Sequence, residues 1–482
     1  MSVGAVAAGA PDAVVAGAEI LRTGGNAVDA AVAACLAVCV ADPANASIGG
    51  RCQILVRLRD GRLAAIDGAT RAPVPLPARP EPVPLPGLLP ALAQVHARFA
   101  TRPLTSLAAP AVALAREGAV VTPALARIWK RQADRLRSDR AASTFYLRRD
   151  GSAPQAGDRM PNPPAASCLL QWSSGGSPPF ACAEARAGEI VAAQAGGWQL
   201  ASAGRQGWGH TLLEILDLVT RLEPKADTAP RRWEAWALAM LSALEDRPQF
   251  AGTLAPKPDP VDWSRLLDPD RLDARSRDIA ARLDTDAPVA DVDFAGVWPG
   301  PSGTDRDTTH LSVVDATGNA VALTMSIGPH FGSATADPVH GFLRPHSYRM
   351  ASAPRAGAVD HTEMTPTIAW HPDGRVVSLG AAGSERIPGA VAKVFWRIAS
   401  GDADLETAVA APRLAWHGGR LRLRKDLGAA VIEWFRSRGY DPEITGAAIE
   451  NHVGIVHGAL WHPQGPHRAA ADPAYDGAAW VG

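Results

Sequence analysis

The stretch AVDAAVAACLAVCV, residues 27–40, constrains this chain more than any other. Its apolar residues fall on every side of a helix, so it offers no polar face to water and must be covered all round. A second helical pattern precedes it: Pro11-Asp12, then Val14, Val15, Ala18, Ile20 and Leu21 at helical spacing, with Gly24-Gly25 as a stop and Asn26 as the restart. Buried helices of this kind need a sheet to pack on. Strands are written in QILVRL and RLAAID, joined by a turn at Asp60-Gly61, and in TIAWHPDGRVVSLG (367–380), where HPDG turns between two strand-like runs. The pattern predicts a layered α/β fold with antiparallel strands.

At 482 residues the chain is long enough for two domains or for one large layered domain. No repeat and no composition break marks a clean second unit. Helical patterns recur at 105–117, 209–222, 232–245, in the segment ending near Gly401, and at 428–438, and HVGIVHGALWHP reads as a strand. The Pro-rich run 72–90 reads as an extended connector and 141–182 as loop or irregular insertion, while Trp233 and Trp236, at helical spacing, read as core. A net charge of −1 gives no global reason to expect nucleic acid or an anionic membrane as partner. The five cysteines lack CxxC spacing and point to reduced thiols. The N-terminus has no basic residue before Arg22, and the apolar run 30–41 is too short to span a bilayer, so a cytoplasmic protein is expected. The thirteen histidines form no HExxH, and the glycines near 48–50 do not follow the dinucleotide fingerprint, so neither metal nor cofactor is expected.

The segment DRDTTHLSVVDATGNAVALTMS (305–326) carries the chemistry. A threonine in a strand is ordinarily structural, because β-branched residues favour strands. Register sets Thr308 apart. If Val314 pairs with Ala320 across the loop, Thr308 faces Ser326, and two hydroxyls stand side by side at the open end of a hairpin. A threonine hydroxyl needs a base, and its own α-amine can serve if the residue is an N-terminus. That requires a cut between Asp307 and Thr308. An oxyanion needs backbone N–H donors, and the strand-to-helix turn GAAGSER (380–386) can offer them.

These residues carry a resemblance. GGNAVDAAVAACLAVCVADPANASIGG (24–50), AAIDGATRAP (64–73), DTTHLSVVDATGNAVALT (307–324), MTPTIAWHPDGRVVSLGAAGSERI (364–387), APRL (411–414) and ADPAYDG (471–477) together resemble, in order, the γ-glutamyltransferase family of N-terminal-nucleophile hydrolases. The resemblance implies a four-layer αββα sandwich, made as one precursor that cuts itself into a large-subunit segment 1–307 and a small-subunit segment 308–482, a heterodimer within one intertwined domain. Carried over by position, it implies Thr308 as nucleophile, Ser326 as its hydroxyl partner where the family usually has Thr, and Gly383 and Ser384 as the oxyanion turn, the second position being usually Gly.

Substrate recognition departs from that pattern. The family's carboxylate-binding arginine falls on Ala69, with Arg71 two residues on, and its asparagine falls on Gly328. GFLRPHSYRM (341–350) leaves Ser347 and Met350 where a polar side chain and a carboxylate belong, and the two family serines before MTPT are Thr362 and Glu363. Charged hydrogen bonds contribute about 1.5–3 kcal/mol each, so loss of both clamps should abolish preference for γ-glutamyl groups. The expectation is an autoprocessing amidohydrolase or acyltransferase acting on another small amide, with Arg71, Gly328, Ser347, Thr362 and Glu363 lining the acyl site. The alternative is a catalytically silent homologue that serves as a binding or assembly scaffold.

Overall fold

The computed structural model describes residues 3–76, 83–175, 177–223, 228–251, 262–285, 308–346, 356–359, 362–446 and 452–482. Two sheets stack face to face between helices. The first has the order β18-β1-β9-β10-β2-β3-β6, built from Ala478–Val481 (β18), Gly4–Ala8 (β1), Thr309–Asp315 (β9), Ala320–Ser326 (β10), Arg51–Arg57 (β2), Leu63–Gly68 (β3) and Arg186–Ala187 (β6). The second has the order β17-β16-β12-β11-β8-β7, built from Arg468–Ala471 (β17), Ile455–Trp461 (β16), Val376–Ala382 (β12), Thr367–Trp370 (β11), Trp198–Ala203 (β8) and Ile190–Ala195 (β7). A small sheet of Leu414–His417 (β13), Arg420–Arg424 (β14) and Glu443–Thr445 (β15), and a pair of Ala119–Val120 (β4) with Arg159–Met160 (β5), complete the described strands. The architecture is an αββα sandwich. Each main sheet mixes strands from before and after residue 308, so the chain on either side of Thr308 is interleaved through one body.

Alternation along the strands builds the layers. In β9 and β10, Leu311, Val313, Val321, Leu323 and Met325 point outward to the helices Pro11–Arg22 and Ala27–Ala41. The alternate residues Val314, Ala320 and Ala322 point inward and meet Ile368, Val376 and Ala459 of the second sheet. That inner layer is rich in alanine, which lets the sheets approach closely. The other face of the second sheet buries Val377, Leu379 and Ala381 under helices that include Gly209–Leu222 and Ile387–Ala399. Ala27–Ala41 is buried on all sides, and its N-terminus is closed by a capping box in which Asn26 accepts from Asp29 N–H and Asp29 accepts from Asn26 N–H.

The structure adds one strand to the reading of the sequence and corrects one segment of it. The apolar N-terminus contains β1, a central strand between β18 and β9, which its Gly and Ala composition conceals. The 141–182 segment is not simply irregular: it lies mostly beyond a helix at Arg140–Tyr146 but holds another at Pro163–Ser173. Asn162 caps that second helix by accepting from Ala165 N–H, Pro163 starts it, and Leu169 and Trp172 bury its inner face. Trp236 is core as expected, and partly buried Trp233 lies beside it, with Lys393 Nζ 4.3 Å from the Trp233 centroid and 4.1 Å from the Trp236 centroid.

Candidate active site

The hairpin adopts the register in which Val314 pairs with Ala320 and Thr309 with Met325. One more step brings Thr308 opposite Ser326. Both are buried, and alternation places both on the inter-sheet side of the hairpin, in line with His310 and Thr324. Ser326 Oγ accepts the Gly328 N–H at 2.9 Å, which fixes the hydroxyl. Gly328 has a φ of +95°, and a Cβ there would lie 2.4 Å from the His346 carbonyl oxygen. Gly328 thus holds Ser326 through its backbone and has no room for a side chain.

Beneath Thr308 the gap between the sheets is polar. His310 Nδ1 lies 2.8 Å from Thr324 Oγ1, and Nε2 lies 2.9 Å from Ser312 Oγ. Ser378 Oγ of β12 donates to Ser312 Oγ at 3.0 Å. Burial, reinforced by neighbouring His457, holds His310 well below the usual imidazole range, so it is neutral and engaged at both nitrogens. Gly380 of β12 sits over the ring, with room for no side chain: a Cβ would be 2.3 Å from it.

These contacts fix where β12 leads. Ser378 lies across from Ser312 and Gly380 across from His310; two residues further, Ala382 comes level with Thr308, and the chain turns at Gly383-Ser384. The turn has Gly383 at φ 129° and ψ 27°, then a 3-10 turn Ser384–Arg386 that runs into the helix Ile387–Ala399. A Cβ on Gly383 would lie 2.8 Å from His452 Cε1. Two side chains pin the turn from behind. Arg386 Nε donates to the Gly383 carbonyl at 2.7 Å and its Nη1 to the His452 carbonyl at 3.0 Å. Glu385 pairs with His417 Nδ1 at 2.7 Å and accepts the Gly418 N–H at 3.2 Å, which ties the turn to the β13–β14 connection. Burial opposes the Glu385 charge, but His417 and Arg386 outweigh it and hold the carboxyl well below its usual range.

Arginines line the first-sheet side of this end. In β2, Arg51 pairs in register with Ser326 and Gln53 with Thr324. Gln53 Nε2 donates to Asp67 Oδ1 at 2.6 Å, and Asp67 Oδ2 lies 3.5 Å from Arg71 Nη2. Ala69, buried, uses its N–H on Asp67 Oδ1. Burial, with Arg186 nearby, lowers the Arg71 pKa against the opposing pull of Asp67 and Glu184. Arg51 was missed in the sequence. Its signal was there: polar residues at 51 and 53 alternate with Cys52 and Ile54 before the apolar run Ile54–Val56.

Thr362 and Glu363 precede β11, whose first residue Thr367 pairs with Leu379, so they lie on the side of β11 towards which antiparallel β12 runs to Gly383. Thr362 is buried, donating its N–H to the Gln206 carbonyl at 3.2 Å and accepting Met364 N–H on Oγ1 at 3.3 Å. Thr308, Ser326, Gly383, Ser384, Gly328, Arg71, Thr362 and Glu363 thus gather at one end of the sandwich. Asp307, Ser347, Arg349 and Met350 lie outside the described residues. Arg344 turns to Asp337 at 3.2 Å. Among the described residues no group of three or more His, Cys, Asp or Glu side chains is arranged to hold a metal ion, and no helix is long and apolar enough to cross a membrane.

A family model described as gamma-glutamyltranspeptidase matches residues 13–181 and 179–482. The chain belongs to the γ-glutamyltranspeptidase family. Among known members, the acylase ACY 1 proenzyme of Pseudomonas sp. (strain SE83) is 28% identical over 96% of this chain and 92% of its own length. The oxamate amidohydrolase proenzyme of Klebsiella pneumoniae is 29% identical over 95% of each chain, and the glutathione hydrolase proenzyme of Escherichia coli is 24% identical over 95% of this chain and 88% of its own. The cephalosporin acylase from Bacillus halodurans shares the fold, with a TM-score of 0.82 at 22% identity over 100% of this chain and 96% of that one. Membership makes this protein an amide hydrolase or acyl transferase of a family whose relatives are made as proenzymes.

Proposed function

We propose that Thr308 is the nucleophile of an amidohydrolase that frees its own α-amine by cutting the Asp307–Thr308 bond, and that its donor is a small amide with an anionic acyl group other than γ-glutamyl. The observation that carries this reading is the meeting of Thr308, Ser326 and the Gly383-Ser384 turn at one end of the inter-sheet gap. His310, the nearest ring in the sequence, is neutral and occupied at both nitrogens. The α-amine, titrating near ~7.7–8.0, is left as the base.

In self-cleavage the Thr308 hydroxyl attacks the Asp307 carbonyl carbon, the peptide C–N bond breaks to leave an ester and a free amine, and water then hydrolyses the ester. In turnover the same oxygen attacks the donor's acyl carbon while its proton passes to the α-amine. The carbonyl electron pair moves onto oxygen, held by the N–H groups of Gly383 and Ser384. Collapse expels the leaving amine with that proton, and water releases the acyl group as a carboxylate.

Arg51, in register with Ser326, and Arg71, joined to the same row through Asp67 and Gln53, favour an anionic acyl group. Ala69 stands where the family's arginine would be, so a γ-glutamyl donor would have to desolvate its carboxylate against a differently placed charge. The test is a panel of γ-glutamyl, glutaryl, oxamyl and neutral N-acyl amides on the cleaved enzyme. An anionic donor should turn over best, γ-glutamyl anilides at least about a hundredfold worse, and Arg71→Ala should raise KM for the best donor about tenfold or more. A neutral acyl preference, or efficient γ-glutamyl hydrolysis, would overturn the assignment of the pocket.

A further inference from the structure

Ser384 stands in a backbone conformation that suits glycine. Its φ is +56°, in the left-handed region where a Cβ is crowded, and the residue is buried. Its hydroxyl is also unsatisfied: Oγ is buried and meets no hydrogen-bond partner among the described residues. Both features cost stability, and a glycine at this position would remove both. Backbone strain and orphaned polar groups together mark positions shaped for something other than folding.

The anchors of the turn do not use the hydroxyl. Arg386 takes the Gly383 carbonyl and Glu385 takes His417 and the Gly418 N–H, so the turn is held without Ser384 Oγ. In one side-chain rotamer a serine Oγ and its own backbone N–H can converge on a single acceptor.

We propose that the Ser384 hydroxyl is a catalytic donor that completes its hydrogen bonding only when substrate is present, adding an O–H to the backbone N–H groups that stabilise the tetrahedral oxyanion. This inference rests on reading Gly383-Ser384 as the oxyanion turn. A glycine at 384 would supply the N–H alone; serine supplies the N–H and a second donor. The hydroxyl gives no proton away, because the oxyanion collapses back to a carbonyl as the amine leaves.

The experiment compares Ser384→Gly and Ser384→Ala with wild type on p-nitrophenyl acetate, an activated ester with little demand on the acyl pocket, using Thr308→Ala as the blank and Gly383→Ala as the control for the turn. Both Ser384 variants should lower kcat at least about tenfold with KM within about twofold, the lower side of what losing one oxyanion donor does. Their thermal midpoints should separate, Ser384→Gly rising above wild type as the strain and the orphaned hydroxyl disappear together. Equal kcat losses in variants of unequal stability assign the effect to the hydroxyl. Unchanged or higher kcat in Ser384→Gly, with Gly383→Ala still impaired, would overturn the hydroxyl donor and leave the turn in place. Unchanged kcat in both positions would overturn the turn assignment and this inference with it, and a wild type no faster than Thr308→Ala would overturn Thr308 as the nucleophile on which both rest.

Discussion

The β9–β10 hairpin and the turn after β12 face each other across the same inter-sheet gap and hold their candidate groups in different ways. The hairpin is regular. Its two hydroxyls are placed by strand register alone, with apolar neighbours locked into the helix-side core. The turn is strained, with positive φ at Gly383 and Ser384, and is held by ion pairs and hydrogen bonds from Arg386 and Glu385. Regular pairing suffices to position a side chain, whereas aiming successive backbone N–H groups at one point requires a backbone that ordinary strands and helices do not provide.

The contrast is broken most severely at Gly383. A Cβ there would strike the His452 ring, so Gly383→Ala should shift the turn and lower kcat about 10²–10³-fold, the loss typical of one oxyanion donor. Steady-state kinetics on the folded variant checks this, and turnover within a few-fold of wild type would place the oxyanion elsewhere.

Next comes the polar layer below the hairpin. His457, fully buried, has its pKa pushed down from 6.5 to about 4 by burial, against the pull of Asp472. The unfolded chain therefore binds the proton more readily, and the stabilisation present above pH 6.5 is lost as pH falls from there towards 4. The difference amounts to about 3 kcal/mol. Denaturant titrations across that window should show the loss, and His457→Gln should make it shallower by about that amount, the part due to the buried His310 and His210 remaining. A stability that is level between pH 7 and 4.5 would contradict the buried neutral imidazole.

A smaller effect is expected at Ser326. Removing its hydroxyl in Ser326→Ala leaves the Gly328 N–H without this acceptor and Thr308 without its neighbour, with no change in strand pairing. The expected loss is about tenfold in kcat, the upper end of what one neutral side-chain hydrogen bond contributes, with little change in thermal midpoint. The mildest change is Glu385→Ala, which loosens the turn from behind. A fall of about three- to tenfold in kcat is expected, recovered in part by Glu385→Gln, since an amide oxygen can still accept the Gly418 N–H. If Glu385→Ala matches wild type, Arg386 alone suffices to hold the turn.

Legibility in the sequence follows the same division. The hairpin register was readable because period-two alternation and a short turn admit few alternatives, and Ala27–Ala41 was readable because no amphipathic alternative exists for it. β1 was hidden because GAVAA lacks the β-branched run that announces a strand; its position between β9 and β18 is set by partners more than three hundred residues away in the chain. The Pro163–Ser173 helix was hidden by flanking Pro and Ser that read as loop but serve as its start and end. Arg51 came to light only through pairing with β10, and the positive φ of Ser384 cannot be inferred from a serine.

The most direct test of the central claim is intact mass measurement with N-terminal sequencing of the purified wild-type protein beside Thr308→Ala. The account predicts that folded wild type resolves into fragments 1–307 and 308–482, the second beginning at Thr308 with a free amine, and that Thr308→Ala stays whole. A wild-type chain that remains one piece after prolonged incubation while folded, or that breaks at another bond, would contradict Thr308 as the N-terminal nucleophile.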